Sequence, residues 1–341
     1  MAFFKAQPHP PLPSKDIASW IFDSPSYDPD RPVFVDATDP SRSISLNQAR
    51  VLVRKFVAGF HNAGLKAGDC VCIQSFNDIY YPVLALGIIA AGGVWAGANP
   101  SYTPYELAHH IKTTKADFLI SEPELLKPLL IAAKEREIPT ERIRIFNPLA
   151  SQPCPSGYMS WNELLQHGEK DWVRFDDPQT CRTTAAVRFA SSGTTGLPKA
   201  TTTTHLNLIA QHELYYGFGR TRGYQQIQLW SMPMFHAALA PRALTTAFKN
   251  GEVAYIMRRF ELEHYLRYTE QYQVTEAYLV PPMVISIIMS PLRERYSLKS
   301  TRQILAGAAP LGKEAQARMK LLLEPGTPFT QVWGKYLAGI A

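Results

Sequence analysis

The sequence predicts an α/β fold built as two units, each a mostly parallel β-sheet covered by helices. Three observations lead there. Strand-like runs alternate with helix-like runs along most of the chain. A looser zone at 147–182, rich in Pro, Ser and Gly, divides that alternation into two halves. The 341 residues are 46% hydrophobic and 19% charged, enough apolar material for a packed core and too much for a disordered chain.

The elements follow in order. Residues 1–30 read as an N-terminal extension and 31–182 as the first unit with its connection. Pro32–Asp36 is a strand. A helix opens with a capping box from Ser45 to Gln48 and places Leu46, Ala49, Val53, Phe56, Val57 and Phe60 on one face. Cys70–Gln74 is a strand. No charge falls between Asp78 and Glu106, so Tyr80–Ala91 reads as a buried helix followed by a short buried strand. Gly92-Gly93 and Asn99-Pro100 break that run below the ~20 apolar residues a membrane span needs. Thr103, Pro104 and Glu106 start the next helix as N-cap, first position and box. Asp117–Ser121 and Arg142–Phe146 are strands with a helix between, and "YMSWNELL" begins a helix in the loose zone.

The second unit, 183–334, opens with strand Ala185–Ala190, a hydroxyl-rich loop, strand "ATTTTH" and a helix to Tyr216. Strands "QIQLWS", "GEVAYIM", "VTEAYLV" and "RQILAGA" follow, with helices at "ELEHYLRYTEQY", "PPMVISIIMS" and "GKEAQARMKLLL". Residues 335–341 form a divergent tail.

The net charge of +6 is spread along the chain without a basic block, which argues against a nucleic-acid partner. Cys70 and Cys72 share one face of a strand with no matching second pair, so they read as reduced thiols rather than metal ligands. The N-terminus lacks the apolar core of a secretory signal.

"SSGTTGLPK", Ser191–Lys199, carries the chemistry. It is either a polar linker or a loop shaped for an anion. A linker does not ordinarily hold a Pro-Lys pair and run straight into a strand. The common phosphate loop feeds a helix directly after its lysine, but Thr201–Thr204 favour extended chain. Gly193 and Gly196 let backbone N–H groups approach an anion. Ser191, Ser192, Thr194 and Thr195 add hydroxyls, and Lys199 adds a mobile positive charge. Together they can wrap the outer phosphates of a nucleoside triphosphate.

"SSGTTGLPKA" with "TTTTH" resembles the signature of the adenylate-forming superfamily, with Ala200 where the family usually has Gly. Asn77–Ile111 resembles the N-terminal signature of coumarate–CoA ligase-like enzymes. "MPMFH" (Met232–His236), "YLVPPMV" and "ILAGAAPLGKE" are similar to the next three landmarks, in family order from about residue 30 to 334. The resemblance implies the two-sheet N-terminal domain of that superfamily. It implies an acyl-CoA ligase that joins a carboxylic acid to ATP, releases pyrophosphate, and passes the acyl group to coenzyme A, with Mg²⁺ as cofactor. A luciferase-like oxygenase shares these motifs. A peptide-synthetase domain would bring a carrier domain.

By resemblance, Ser191, Ser192, Gly193, Thr194, Thr195, Gly196 and Lys199 hold the phosphates, with Thr194 also at the metal. Lys199, Thr194 and His236 would be the catalytic set; His236 borders the acid pocket, or is simply a packed histidine. Ala237, Ala238 and Ala240 either widen that pocket or pack a helix. Gly307, Ala308, Ala309 and Pro310 match the loop along the adenylate, though a plain tight turn uses similar residues. Gln331, Trp333 and Gly334 match the segment that closes the nucleotide site.

The pattern then breaks. Tyr336 and Leu337 stand where the family has Thr and a metal-binding Glu. The family's C-terminal domain is expected to be absent, leaving a truncated chain of low activity, or one completed by a separate chain that supplies the missing domain. The other reading is a non-catalytic nucleotide- or acyl-binding partner protein. The compartment expected is cytoplasmic or peroxisomal, and the closing Gly339-Ile340-Ala341 is not the peroxisomal tripeptide of many relatives.

Overall fold

The computed structural model describes residues 11–191, 198–216 and 222–332. Its strands are β1 (Pro32–Asp36), β2 (Ser43–Ser45), β3 (Cys70–Gln74), β4 (Val94–Ala98), β5 (Ala116–Ser121), β6 (Ile143–Ile145), β7 (Met159–Ser160), β8 (Ala185–Ala190), β9 (Ala200–Thr204), β10 (Ile227–Trp230), β11 (Val253–Ile256), β12 (Glu276–Leu279), β13 (Gln303–Ala306) and β14 (Phe329–Gln331). Its helices are α1 (Ile17–Phe22), α2 (Leu46–Asn62), α3 (Tyr81–Ala90), α4 (Pro104–Thr114), α5 (Leu126–Glu135), α6 (Pro178–Thr183), α7 (His205–Tyr216), α8 (Ala247–Asn250), α9 (Leu262–Gln271), α10 (Pro281–Met289) and α11 (Lys313–Lys320).

The strands form two sheets, and the fold is α/β as expected. One sheet has the order β7-β6-β5-β3-β4-β8-β9 and the other β14-β13-β12-β10-β11-β1-β2. Every strand pair is parallel except β8–β9 and β1–β2, each at one edge.

The sheets do not follow a division at residue 182. β1 pairs with β11, so the chain begins in the second sheet. β8 pairs with β4, so the chain returns to the first sheet after the loose zone. Alternation along the sequence shows that parallel sheets exist, but it carries no sign of which strands share one. The two units are thereby interlocked, and the hydroxyl-rich hairpin belongs to the first sheet.

Local chemistry explains the elements. Ser45 and Thr103 each cap their helix through a reciprocal box with Gln48 and Glu106. All ten residues of α3 are buried, as an uncharged run requires. One face of β3 presents Val71 and Ile73 to the cluster containing α2 and α3; the other presents Cys70 and Cys72 to α4 and α5. The four cysteines are free, with Cys70, Cys72 and Cys181 buried and Cys154 exposed. Burial pushes the Cys70 thiol up to about 12 and Cys72 up as well, so both stay inert thiols.

Three expectations need correction. Within the proposed extension, α1 is buried throughout, and Ile17, Trp20 and Phe22 join the main core. Trp20 meets His212 edge-on at 4.9 Å, and Phe22 packs on Trp172 and Phe248. Six residues are too few for a periodicity to show, so α1 was not visible in the sequence. "YMSWNELL" gives the short β7 and a 3₁₀ turn at Trp161–Leu165 instead of an α-helix. Residues 242–250, assigned no helix, form a π-turn at Arg242–Thr246 running into α8. Among the described residues no helix is long and apolar enough to cross a membrane.

Candidate functional site

Parallel α/β sheets collect ligands at the C-terminal ends of their strands. Each described candidate residue lies just beyond, or at the end of, such a strand. Ser191 follows β8, His236 lies six residues past β10, Gly307–Pro310 follow β13, and Gln331 ends β14. Lys199 stands on the return side of the β8–β9 hairpin.

The hairpin stem closes tightly. The Ser191 N–H donates to the Lys199 carbonyl at 2.8 Å, and the Lys199 N–H donates to Ser191 Oγ at 3.0 Å. This pair continues the ladder one step past Ala190 and Ala200. Lys199 is exposed at that point. Ser192, Gly193, Thr194, Thr195 and Gly196 lie outside the described residues, as do Trp333 and Gly334.

The His236 segment reaches the first sheet by close approach. A Cβ on Gly97 of β4 would meet Phe235 Cβ at 2.7 Å and Phe235 Cα at 2.9 Å, so only glycine fits there. Trp95, two residues earlier, meets Phe189 of β8 edge-on at 5.9 Å. The segment that carries His236 thus sits against the strand neighbouring the hairpin.

Asn77, buried after β3, fastens the same segment. Its Nδ2 donates to the carbonyls of Met232 (2.9 Å) and Met257 (3.1 Å), and its Oδ1 accepts from the Met234 N–H at 2.9 Å. Asn77 opened a recognised stretch of sequence, but a lone asparagine gives no sign of which backbone it will satisfy.

His236 is exposed at its edge, yet nearby protein desolvates the ring enough to lower its pKa. Its Nδ1 accepts from the Ala238 N–H at 3.1 Å. That bond requires an unprotonated Nδ1, so the neutral ring carries its proton on Nε2. His236 is therefore not a packed core histidine. Of the neighbouring alanines, Ala240 is fully buried in the core, while Ala238 is exposed and Ala237 intermediate.

The β13 loop is held differently. The Gly307 N–H donates to Leu279 O at 3.1 Å, and a Cβ there would lie 2.7 Å from Val332 Cγ2. Ala308 adopts φ +69°, the left-handed region that L-residues avoid. Residues 308–310 are exposed. Gln331 clamps the far end: its Oε1 accepts from the Leu311 N–H at 3.0 Å and its Nε2 donates to the Leu311 carbonyl at 3.1 Å. Sequence matching placed Gln331 at the site but did not reveal this clamp.

A sequence profile of the AMP-binding enzyme family matches residues 21–335. The chain belongs to that family. This AMP-binding chain is 47% identical over 335 residues to an acyl-CoA ligase, azaF, of Aspergillus niger, covering 97% of this chain and 63% of the relative. It is also 47% identical to phenylacetyl-CoA ligase epaB of Aspergillus niger, over 97% of this chain and 62% of the relative. The chain therefore spans less than two thirds of the length of these relatives. Among solved structures it is similar to a long-chain-fatty-acid-CoA ligase, FadD1, of Archaeoglobus fulgidus, with TM-score 0.82 and 20% identity over 99% of this chain and 67% of that one. That likeness establishes the AMP-binding fold.

Proposed function

We propose that this AMP-binding chain provides the nucleotide- and acid-binding portion of an ATP-dependent acid–thiol ligase. A carboxylate oxygen attacks the α-phosphorus of ATP, and pyrophosphate leaves. The thiol of coenzyme A then attacks the acyl carbon, and AMP leaves. The first step converts a carboxylate, whose own leaving group would be oxide, into an activated acyl donor. Catalysis of this kind is chiefly placement and charge neutralisation.

The observation that carries the proposal is the closed stem, which sets Lys199 and Ser191 at the mouth of a hydroxyl-rich loop on the C-terminal edge of a parallel sheet. Lys199 would neutralise the outer phosphates. His236, neutral and protonated on Nε2, would donate to the acid's carboxylate. The exposed turn 308–310 would accept the flat adenylate against small side chains, with Gln331 fixing its far end. Trp333, Gly334 and the loop residues 192–196 complete the set by resemblance. The names of the relatives support a carboxylic acid as the substrate class.

Mg²⁺, a hard cation that prefers oxygen ligands, would supply charge neutralisation for the polyphosphate, with Thr194 the residue that would help to hold it by resemblance. Among the described residues no group of three His, Cys, Asp or Glu could hold a metal, and Thr194 lies outside them.

The test pairs a MgATP titration with a pyrophosphate-release assay over aliphatic and aromatic acids. Saturable binding, weakened about 10- to 100-fold by Lys199→Met through loss of a charge-assisted bond, supports the proposal. No saturable binding by folded protein overturns it. Tight binding with no pyrophosphate release for any acid favours a non-catalytic binder.

A further inference from the structure

The phosphate-loop stem does not stand on its own ladder alone. Helix α4 packs alongside the β8–β9 hairpin and touches it at two polar points. His109, half-buried on α4, donates from Nε2 to the Pro198 carbonyl at 2.8 Å. A carbonyl can only accept, so the Nε2 proton is fixed by this contact. The Thr113 hydroxyl lies 3.3 Å from the same nitrogen and donates to the His109 carbonyl at 2.7 Å, holding the ring against its helix. Farther down the hairpin, Arg188 Nη1 donates to the Thr114 carbonyl at 2.7 Å.

Between α4 and the stem lies a cavity of about 90 Å³, lined in part by Tyr102, Tyr105, His110, Pro198 and Lys199. The contact is thus not close-packed where the loop begins. Across this gap the hydrogen bond from His109 is a directional link to the loop, added to the Ser191–Lys199 pair of the stem. Pro198 has no N–H and a restricted φ, so fixing its carbonyl also fixes the direction in which the next residue leaves. That next residue is Lys199.

We propose that His109 is a positioning residue for the phosphate loop: by holding the Pro198 carbonyl it sets where Lys199 meets the nucleotide. The inference rests on the nucleotide-binding role proposed for Lys199. His109 lies 89 positions from Pro198 along the chain and outside the loop signature, so no local reading of the loop finds it.

The test compares MgATP affinity and thermal unfolding for the present chain and three variants. His109→Gln keeps a donor, His109→Phe keeps bulk without a donor, and His109→Ala keeps neither. Loss of one hydrogen bond that orders a binding group predicts a roughly five-fold rise in Kd for His109→Phe and His109→Ala. His109→Gln should recover most of that loss. A merely structural role would instead make Kd follow melting temperature across the three. Should His109→Ala fail to fold, the Phe and Gln pair still decides. Unchanged affinity in His109→Phe, with wild-type binding intact, overturns this inference and leaves the function standing. Absence of MgATP binding by the wild type overturns the function itself.

Discussion

The two sheets each present a candidate loop at their C-terminal edge, yet they hold it by opposite means. The first sheet sends out a hairpin whose two strands pair with each other, so its loop ends are joined by their own ladder and by the Ser191–Lys199 pair. Beneath it Ala186, Val187 and Phe189 join the main core, where Phe189 meets Trp95. The second sheet sends out a turn that enters a crossover, so the strand that follows returns parallel to β13 and closes no hairpin around the turn. It depends on a glycine for close approach, a strained Ala308, and a clamp from Gln331 twenty residues downstream of Leu311.

At the other end of that sheet lies a buried charged network. Arg242 Nη2 meets Glu252 at 3.0 Å and Glu276 at 3.6 Å, its Nε donates to Gln228, and its guanidinium lies 4.1 Å over the Tyr278 ring. A self-paired loop needs only local chemistry. A crossover loop needs distant partners and a framework that keeps them in register.

Acid gives the largest expected effect. His110 on α4 and His205 after β9 flank the hairpin, and burial pushes each down to about 4. Nδ1 of His205 accepts from the Ile17 N–H at 3.0 Å, which protonation would abolish. A group whose folded pKa lies below its unfolded value near 6.5 stabilises the fold above that value. The contribution is lost as pH falls from about 6.5 to about 4, because the unfolded chain binds the extra proton. Each histidine is worth on the order of 3 kcal/mol across that window. Denaturant midpoints should fall steadily from pH 7 to 4, and His110→Leu should flatten the slope. A pH-independent midpoint would contradict the buried neutral histidines.

The network under the second sheet gives the next largest effect. Arg242→Met leaves Glu252 and Glu276 buried without their shared cation, at a cost of about 3–5 kcal/mol. Urea unfolding measures it. A loss near zero would mean that the two sheets are held in the same way. Gly307→Val should cost about 1–3 kcal/mol by driving a side chain into Val332, and it should weaken MgATP binding more than it lowers stability. Ser191→Ala, by contrast, removes one acceptor from a stem that keeps its ladder. It should cost only about 1 kcal/mol, read as faster amide exchange at Lys199.

The same contrast explains how much could be read from the sequence. β3, β4, α2, α4 and the hairpin were legible because capping boxes, an uncharged run and a threonine tract are local signals. The exchange of β1 and β8 between sheets was not, because strand partnership is non-local. Asn77, His109 and the clamp by Gln331 act on backbone atoms of distant segments, and backbone atoms leave no mark in sequence. The buried Arg242 was hidden for a related reason. An arginine reads as surface until Glu252 and Glu276 are seen to converge on it.

The smallest effect has the opposite sign. Ala308 sits at φ +69°, where an L-residue pays about 1–2 kcal/mol and glycine none, while a glycine loses more backbone freedom on folding by about 0.5–1 kcal/mol. Ala308→Gly should therefore stabilise the chain by somewhat less than 1 kcal/mol, visible as a small rise in Tm. Its effect on nucleotide affinity should run the other way. Ala308 restricts an exposed turn before the ligand arrives, and glycine surrenders that restriction, so Kd for MgATP should rise a few-fold as the turn is ordered on binding. The hairpin offers no equivalent exchange, since its described stem residues keep ordinary φ. A variant that is both more stable and tighter-binding would show that the strain at Ala308 does nothing for the site, and would remove the distinction drawn between the two loops.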